Sequence, residues 1–366
     1  DFNLTQGTVT FLANQTSMTV SVPIIGDTTA ENNETFFLNL SNPTNATIAD
    51  GQGLGTILND DNSPPVVTLP PGPLNATEDV GLAVVGISVA DPDANGAVEL
   101  VTLIVQHGTL NVRTDVPSGL LPEQILNNGT NSVTFNATLD AINNTLASLS
   151  GLVYQGIQDY NGTDTLTVTA NDLGNTGNVN IPKSDTESVL INVANVNDPP
   201  IIDFHGAGGV GTPPSPIQST KGNAVAAFGS PNVITLTDAD NTNFNGGTIV
   251  ATNVGPFIGA KDLVSIRNQG TGSGEIGFSA KGKHKGQITY NGVVIGNAHG
   301  GTGGSNLVIT LNSKASVAAT QALLRNITFG TSKTRLAPVA RNVQLTMTDG
   351  SGGTSQTVTT TINVTN

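Results

Sequence analysis

The chain has 366 residues, with 43 Gly, 19 Pro, no Cys, no Trp and only 4% aromatic residues. That length suggests two to four domains, the missing Cys excludes a disulfide framework and thiolate chemistry, and no apolar run reaches the ~18 residues of a membrane span. The net charge of −14 is uneven, since residues 1–112 carry 12 acids and no Lys or Arg while residues 199–366 carry 6 acids and 11 bases; so acidic a chain argues against nucleic-acid binding.

β-Branched residues are common and helix formers scarce, so the expected fold class is all-β. No signal-peptide segment leads the sequence, and a mature chain or a fragment is expected. The first runs, GTVTFLA (7–13) and SMTVSVPII (17–25), alternate apolar and polar residues, and Gly26-Asp27 breaks the second. TFFLNLS (35–41) and GTILNDD (55–61) follow. Short strands with turn signals about every ten residues predict a β-sandwich.

A second unit starts after Pro64-Pro65. Its strand signals are LAVVGISVADPDA (82–94), VTLIVQHGTLNV (101–112), TLTVTAND (165–172) and SVLINVANVNDPP (188–200). Within it, residues 137–154 place Leu139, Ile142, Leu146 and Leu149 at helical spacing, which predicts one short helix against the sandwich. A third unit repeats these landmarks in order: ITLTDADN (234–241), SVAATQALLRNITFG (316–330), VQLTMTDGSG (343–352) and TTTINVTN (359–366). The expectation is tandem β-sandwich modules at 1–61, 62–198 and 199–366, joined by short Pro-containing linkers. Gly-rich stretches at 204–214 and 299–304 suit long loops, and KGKHKG (281–286) reads as a solvated hairpin tip.

The acids recur with the repeat. The second unit has Glu78-Asp79, Asp91-x-Asp93, Asn171-Asp172 and Asn197-Asp198; the third has Asp238-x-Asp240 and Asp349. Calcium takes six to eight oxygens from carboxylates, Asn side chains, carbonyls and water, and turns gathered at one end of a sandwich supply them from distant positions. Asp, Asn and Gly also dominate turns merely because they tolerate turn dihedrals. Co-occurrence in a chain only 11% charged favours calcium. NDDNSPP (59–65) and NVNDPP (195–200) set acids against double prolines, which favour an extended linker; calcium hinges are expected there.

Residues 1–61 resemble the later part of a Calx-beta domain, on DFNLTQGTVTF and on the run from Gly26-Asp27 through Glu31, Glu34-Thr35-Phe36 and Leu40-Ser41-Asn42-Pro43 to Leu58-Asn59-Asp60-Asp61. The resemblance implies a calcium-binding sandwich with ligands at Asp1, Asp27, Glu31, Asp60 and Asp61; the strands that usually precede the Asp-aromatic pair are missing. Residues 62–198 resemble the cadherin-like repeats of large bacterial surface proteins, on TED, SVADPDA, YNGTDTLTVTANDLGNTG and VANVNDPP. This implies calcium at Asp91, Asp93, Asp172 and Asp198, with Glu78 and Asp79. Residues 199–366 resemble a more divergent relative, lacking the opening ED and a final NDPP.

His107, His205, His284 and His299 fall in no catalytic or zinc spacing, and no GxSxG is present. No enzyme is expected. The expected function is a structural, extracellular, calcium-stiffened rod in a surface filament or adhesin stalk. Its partners are further repeats of a longer chain, or copies of itself added head to tail by strand complementation of the incomplete first module. The alternative is a carbohydrate-binding or hydrolytic surface protein, acting on cell-surface glycans, in which these modules are spacers.

Overall fold

In a computed structural model the chain forms two compact units, Asp1–Val196 and Asn197–Asn366. The structure describes residues 2–26, 31, 33–58, 61–174, 181–204, 216–220, 222–228, 234–254, 262–283, 285–331 and 340–365.

The first unit begins with an antiparallel pair, β1 (Glu34–Asn39) and β2 (Gln52–Ile57), in which Phe36 stands opposite Gly55. The alternating runs 7–13 and 17–25 form no ladder; an isolated bridge joins Phe2 to Ile24. No described residue of 2–58 is buried. Alternation therefore gives strand-like sequence there without a covered face to fix a register, and two strands alone are marginal in water.

The rest of the first unit is β3 (Val66–Thr68), β4 (Leu74–Thr77), β5 (Leu82–Ala83), β6 (Ser88–Ala90), β7 (Val98–Ile104), β8 (Gly108–Val112), β9 (Ile125–Leu126), β10 (Ser132–Thr138), α1 (Leu139–Ala147), β11 (Leu152–Gly156), β12 (Gly162–Asn171) and β13 (Ser184–Ala194). A six-stranded sheet runs β4-β13-β12-β7-β10-β9, and β5-β11-β8 and β3-β6 form smaller sheets. Every second residue of the long strands points inward: Val101 and Leu103, Leu166, Val168 and Ala170, and Val189, Ile191 and Val193 share one core with Leu110, Tyr154, Ile142 and Leu146. The helix stops at Ala147, capped by Ser148, so Leu149 lies beyond it and is exposed; of the expected stretch 137–154, residues 137–138 end β10 and 152–154 begin β11.

The second unit holds β14 (Ile201–Asp203), β15 (Ile217–Thr220), β16 (Val225–Ala226), β17 (Thr235–Thr237), β18 (Thr248–Val254), β19 (Asp262–Ile266), β20 (Ile276–Phe278), β21 (Gln287–Tyr290), β22 (Val293–Gly300), β23 (Leu307–Leu311), α2 (Val317–Leu324), β24 (Ile327–Thr331), β25 (Ala340–Met347) and β26 (Val358–Thr365). Its sheets repeat the first unit's: β15-β26-β25-β18-β23 extended by β22-β21-β20, then β16-β24-β19 and β14-β17. The first edge strand pairs parallel in both, β4 with β13 and β15 with β26. One side chain pins each helix to its neighbouring strand, Asn143 to the Val89 backbone and Gln321 to the Leu236 amide. The KGKHKG stretch joins β20 to β21 with Lys281, Lys283 and Lys285 exposed, as expected of a hairpin tip. Gly-rich 299–304 is partly strand β22; most of 204–214 lies outside the described residues.

Candidate metal sites

In each unit, the Asn-x-Pro-Pro segment runs into a cup made by the loop after the short strand β6 or β17 and the loop after β12 or β25. In the first unit, the Asn62 side-chain amide donates to Asp172 Oδ2 at 2.7 Å and to the Ile181 carbonyl at 2.9 Å. The Ser63 amide donates to Asp93 Oδ2 at 2.6 Å, and the Asp93 amide to Asp91 Oδ1 at 2.8 Å. Asp172 Oδ1 takes the amides of Gly174 and Lys183, both at 2.8 Å. The Lys183 ammonium donates to the Asn62 carbonyl.

The second unit repeats this residue by residue. Asn197 donates to Asp349 Oδ2 at 2.6 Å, the Asp198 amide to Asp240 Oδ2 at 2.6 Å, and the Asp240 amide to Asp238 Oδ1 at 3.1 Å. Asp349 Oδ1 takes the amides of Ser351, Gly352 and Gly353 at 2.6–3.1 Å. Gly353 is required here, because a Cβ would lie 2.3 Å from Asp349 Oδ2 and 2.8 Å from Asn197 Nδ2. Burial alone would raise the Asp349 pKa, but the Asn197 bond and the three loop amides outweigh it and hold the carboxyl below its ordinary value.

The Pro pair thus sets the alignment: Asn62-Ser63 corresponds to Asn197-Asp198. The expectation paired the acids of NDDNSPP with those of NVNDPP; the corresponding residue in both is the asparagine two places before the first proline. Asp61 precedes that position and is half-buried.

The cups differ in charge. Glu99 on β7 is 1% exposed, and neither carboxylate oxygen meets a donor among the described residues. It faces Asp91 closely enough to share a proton, and burial, then the charges of Asp91 and Asp172, push its pKa up to about 7. Asp91 Oδ2 is also buried without a donor, and burial with the charges of Asp93 and Asp172 raises that carboxyl too. At the other end of the first unit, Glu78 is 1% exposed; its Oε1 accepts the Val196 amide and its Oε2 meets no described donor. Beside it Asp79 accepts the Asp159 amide at 3.2 Å, and the two carboxylates come within 4.8 Å of each other. In the second unit Asp198 and Asp240 do the same, and Asp238 Oδ2 meets no described donor.

Of the expected ligands, Asp1, Asp27 and Asp60 lie outside the described residues, and Glu31 is exposed. Asp91, Asp93 and Asp172 come together in the first cup, Asp238, Asp240, Asp349 and Asp198 in the second, and Glu78 with Asp79 at the far end of the first unit. Sequence reasoning missed Asn62, Glu99 and Asp159. For Glu99 the signal was present: period-two alternation in VELVTL puts it on the face of Val101 and Leu103. Orphaned buried carboxylate oxygens fit a hard, oxygen-seeking cation. Asp172 and Asp349, already furnished with N–H donors, act first as anchors for the linker. Asp164 is a contrast: buried, it accepts the amides of Gln106, His107 and Thr165 and the Tyr154 hydroxyl. His107, beside that turn, stacks on Tyr160 with ring centres 4.4 Å apart.

Residues 1–56 match the family model of the Calx-beta domain. No curated protein sequence matches the chain at a significant level. Among solved structures, Drosophila N-cadherin EC1-3 is similar at 15% identity, over 86% of this chain and 72% of that one, with a TM-score of 0.19. The C-terminal domain of the Streptococcus pyogenes antigen I/II-family protein AspA is similar at 10% identity, over 72% and 84%, with a TM-score of 0.22. An endo-fucoidan hydrolase of glycoside hydrolase family 107 is similar at 14% identity, over 94% of this chain but 35% of that one, with a TM-score of 0.21. Likenesses at such scores carry no argument, and the fold rests on the sheets described above.

Proposed function

We propose that the chain is a piece of a non-catalytic extracellular repeat protein, a calcium-stiffened rod in a surface filament or adhesin stalk. Its modules are 1–61, 62–198 and 199–366. The observation that carries the reading is the cup built twice from the same parts: a linker asparagine, a DxD loop and a second Asp loop. Calcium would be held by Asp91, Asp93 and Asp172 in one cup and by Asp198, Asp238, Asp240 and Asp349 in the other, with Glu78 and Asp79 forming a further group. The ion supplies charge neutralisation; the chain's own residues tie the linker to the module that follows it. Without the ion, clustered carboxylates repel.

The first module supports a partner proposal. Phe11, Leu12, Phe37 and Leu54 are exposed, and this apolar surface is what added strands would cover. Those strands come from further repeats of a longer chain or from a second copy, whose basic third module complements the acidic residues 1–112. Thermal unfolding with calcium and with chelator, beside light scattering over a concentration series, tests both parts. A higher melting temperature in calcium and a mass that grows with concentration are expected. An unchanged melting temperature removes calcium, and a constant monomer mass removes self-addition.

A further inference from the structure

We infer that Glu99 is a cation ligand: with Asp91 it forms a carboxylate pair inside the first unit's cup that takes a hard divalent ion, and the second unit lacks this ligand. The inference rests on the calcium reading above and extends it to a residue outside the DxD and Asp loops.

Three observations carry it. Glu99 is buried in the core-facing row of β7, yet both its oxygens lack a donor among the described residues. Its neighbour Asp91 also turns a buried, donorless oxygen into the cup. The Lys183 ammonium donates to the Asn62 carbonyl, and neither Glu99 oxygen nor Asp91 Oδ2 accepts a bond from it. A buried carboxylate facing another carboxylate needs a positive counterpart, and here that is either a proton or a bound cation. Asp172 also accepts from the Asn62 side chain and two backbone amides, so it keeps less free coordination for an ion than its neighbours do. The orphaned oxygens that remain belong to Asp91 and Glu99, and oxygen-only donors suit calcium or a similarly hard ion.

The second unit supplies the comparison. Asn171 pairs with Leu100 across the β12–β7 ladder, and Thr348, at the same place before Asp349, bonds to Thr248. The residue preceding each partner is Glu99 in one unit and Gly247 in the other. A Cβ on Gly247 would lie 2.4 Å from the Thr348 carbonyl oxygen. No side chain fits there, so the second cup is built without this carboxylate.

Calorimetric titration of the full chain with calcium chloride tests this, comparing wild type with Glu99→Gln. Gln keeps the shape and removes the charge. The expected result is at least tenfold weaker binding in the tightest class of sites, with a melting temperature in chelator no lower than wild type. If Glu99→Gln titrates as wild type does, Glu99 holds only a proton and this inference is overturned while the calcium reading stands. If wild type itself takes up no calcium, both are overturned. Should Gln disturb folding in chelator, Glu99→Asp, which draws the charge back by one methylene, replaces it; weakened binding is again expected, and wild-type binding overturns the inference.

Discussion

Asn62 donates its side-chain amide to Asp172 at 2.7 Å, across 110 residues of sequence, and Asn197 makes the same bond to Asp349 at 2.6 Å across 152. Each bond fastens the linker to the loop that closes its own module. Replacing either asparagine by Ala leaves a buried carboxylate short of a donor, at a cost of about 1–3 kcal/mol. Asn62→Ala is expected to lower the stability of the first unit and Asn197→Ala that of the second. Denaturant unfolding followed by hydrogen exchange separates the two effects; equal loss in both units from either change would contradict the assignment.

Gly353→Ala attacks the second anchor from below. The added methyl meets Asp349 Oδ2, Asn197 Nδ2 and the Pro199 Cα, all within 2.8 Å. Overpacking of this kind typically costs about 1–3 kcal/mol. The expected readout is a lower melting temperature, with faster exchange at the Ser351–Gly353 amides. Wild-type exchange there would show that the loop has room the geometry denies it.

Acid should weaken the first unit partly through Asp164. Burial raises its pKa, but the amides of Gln106, His107 and Thr165 and the Tyr154 hydroxyl more than reverse this, so its folded-state value lies below the ordinary one. A depressed carboxyl contributes stability that is present above its unfolded pKa, near 4, and is lost as pH falls through the folded value. Asp164→Asn should therefore destabilise the protein at neutral pH and flatten the acid limb of its melting curve. An unchanged pH profile in the variant would remove Asp164 from the acid response.

Arg341 and Asp262 form an ion pair at 2.9 Å, with side chains 0% and 1% exposed, inside the second unit. Removing one partner strands a buried charge, so Arg341→Met alone should cost about 3–5 kcal/mol. The double change Arg341→Met with Asp262→Leu should recover much of that loss. A double variant as unstable as the single one would show that other contacts of Arg341 carry its role.

Much of this architecture was legible from residues. Alternation gave β7, β12, β13, β25 and β26, and three-four spacing gave α1 as far as Ala147. The DxD and Asp loops were visible because Asp-rich turns stand out in a chain with few charges. What stayed hidden depended on distant partners. Val9 and Phe11 alternate as a strand does, but alternation does not guarantee a neighbour to pair with. Nothing local marks Asn62, because its partner lies 110 positions away. Glu99 belongs to no Asp-rich turn, and only its parity with Val101 and Leu103 marks it as facing inward.

Under the proposed function, calcium would fix each linker to its module. Hydrogen exchange of the Ser63 and Asp198 amides, each bonded at 2.6 Å to the second Asp of a DxD loop, tests it most directly. Both amides should exchange at least tenfold more slowly in calcium than in chelator. Equal rates in the two conditions, with calcium otherwise shown to be present in excess, would contradict the claim and leave the cups as metal-independent turn structure.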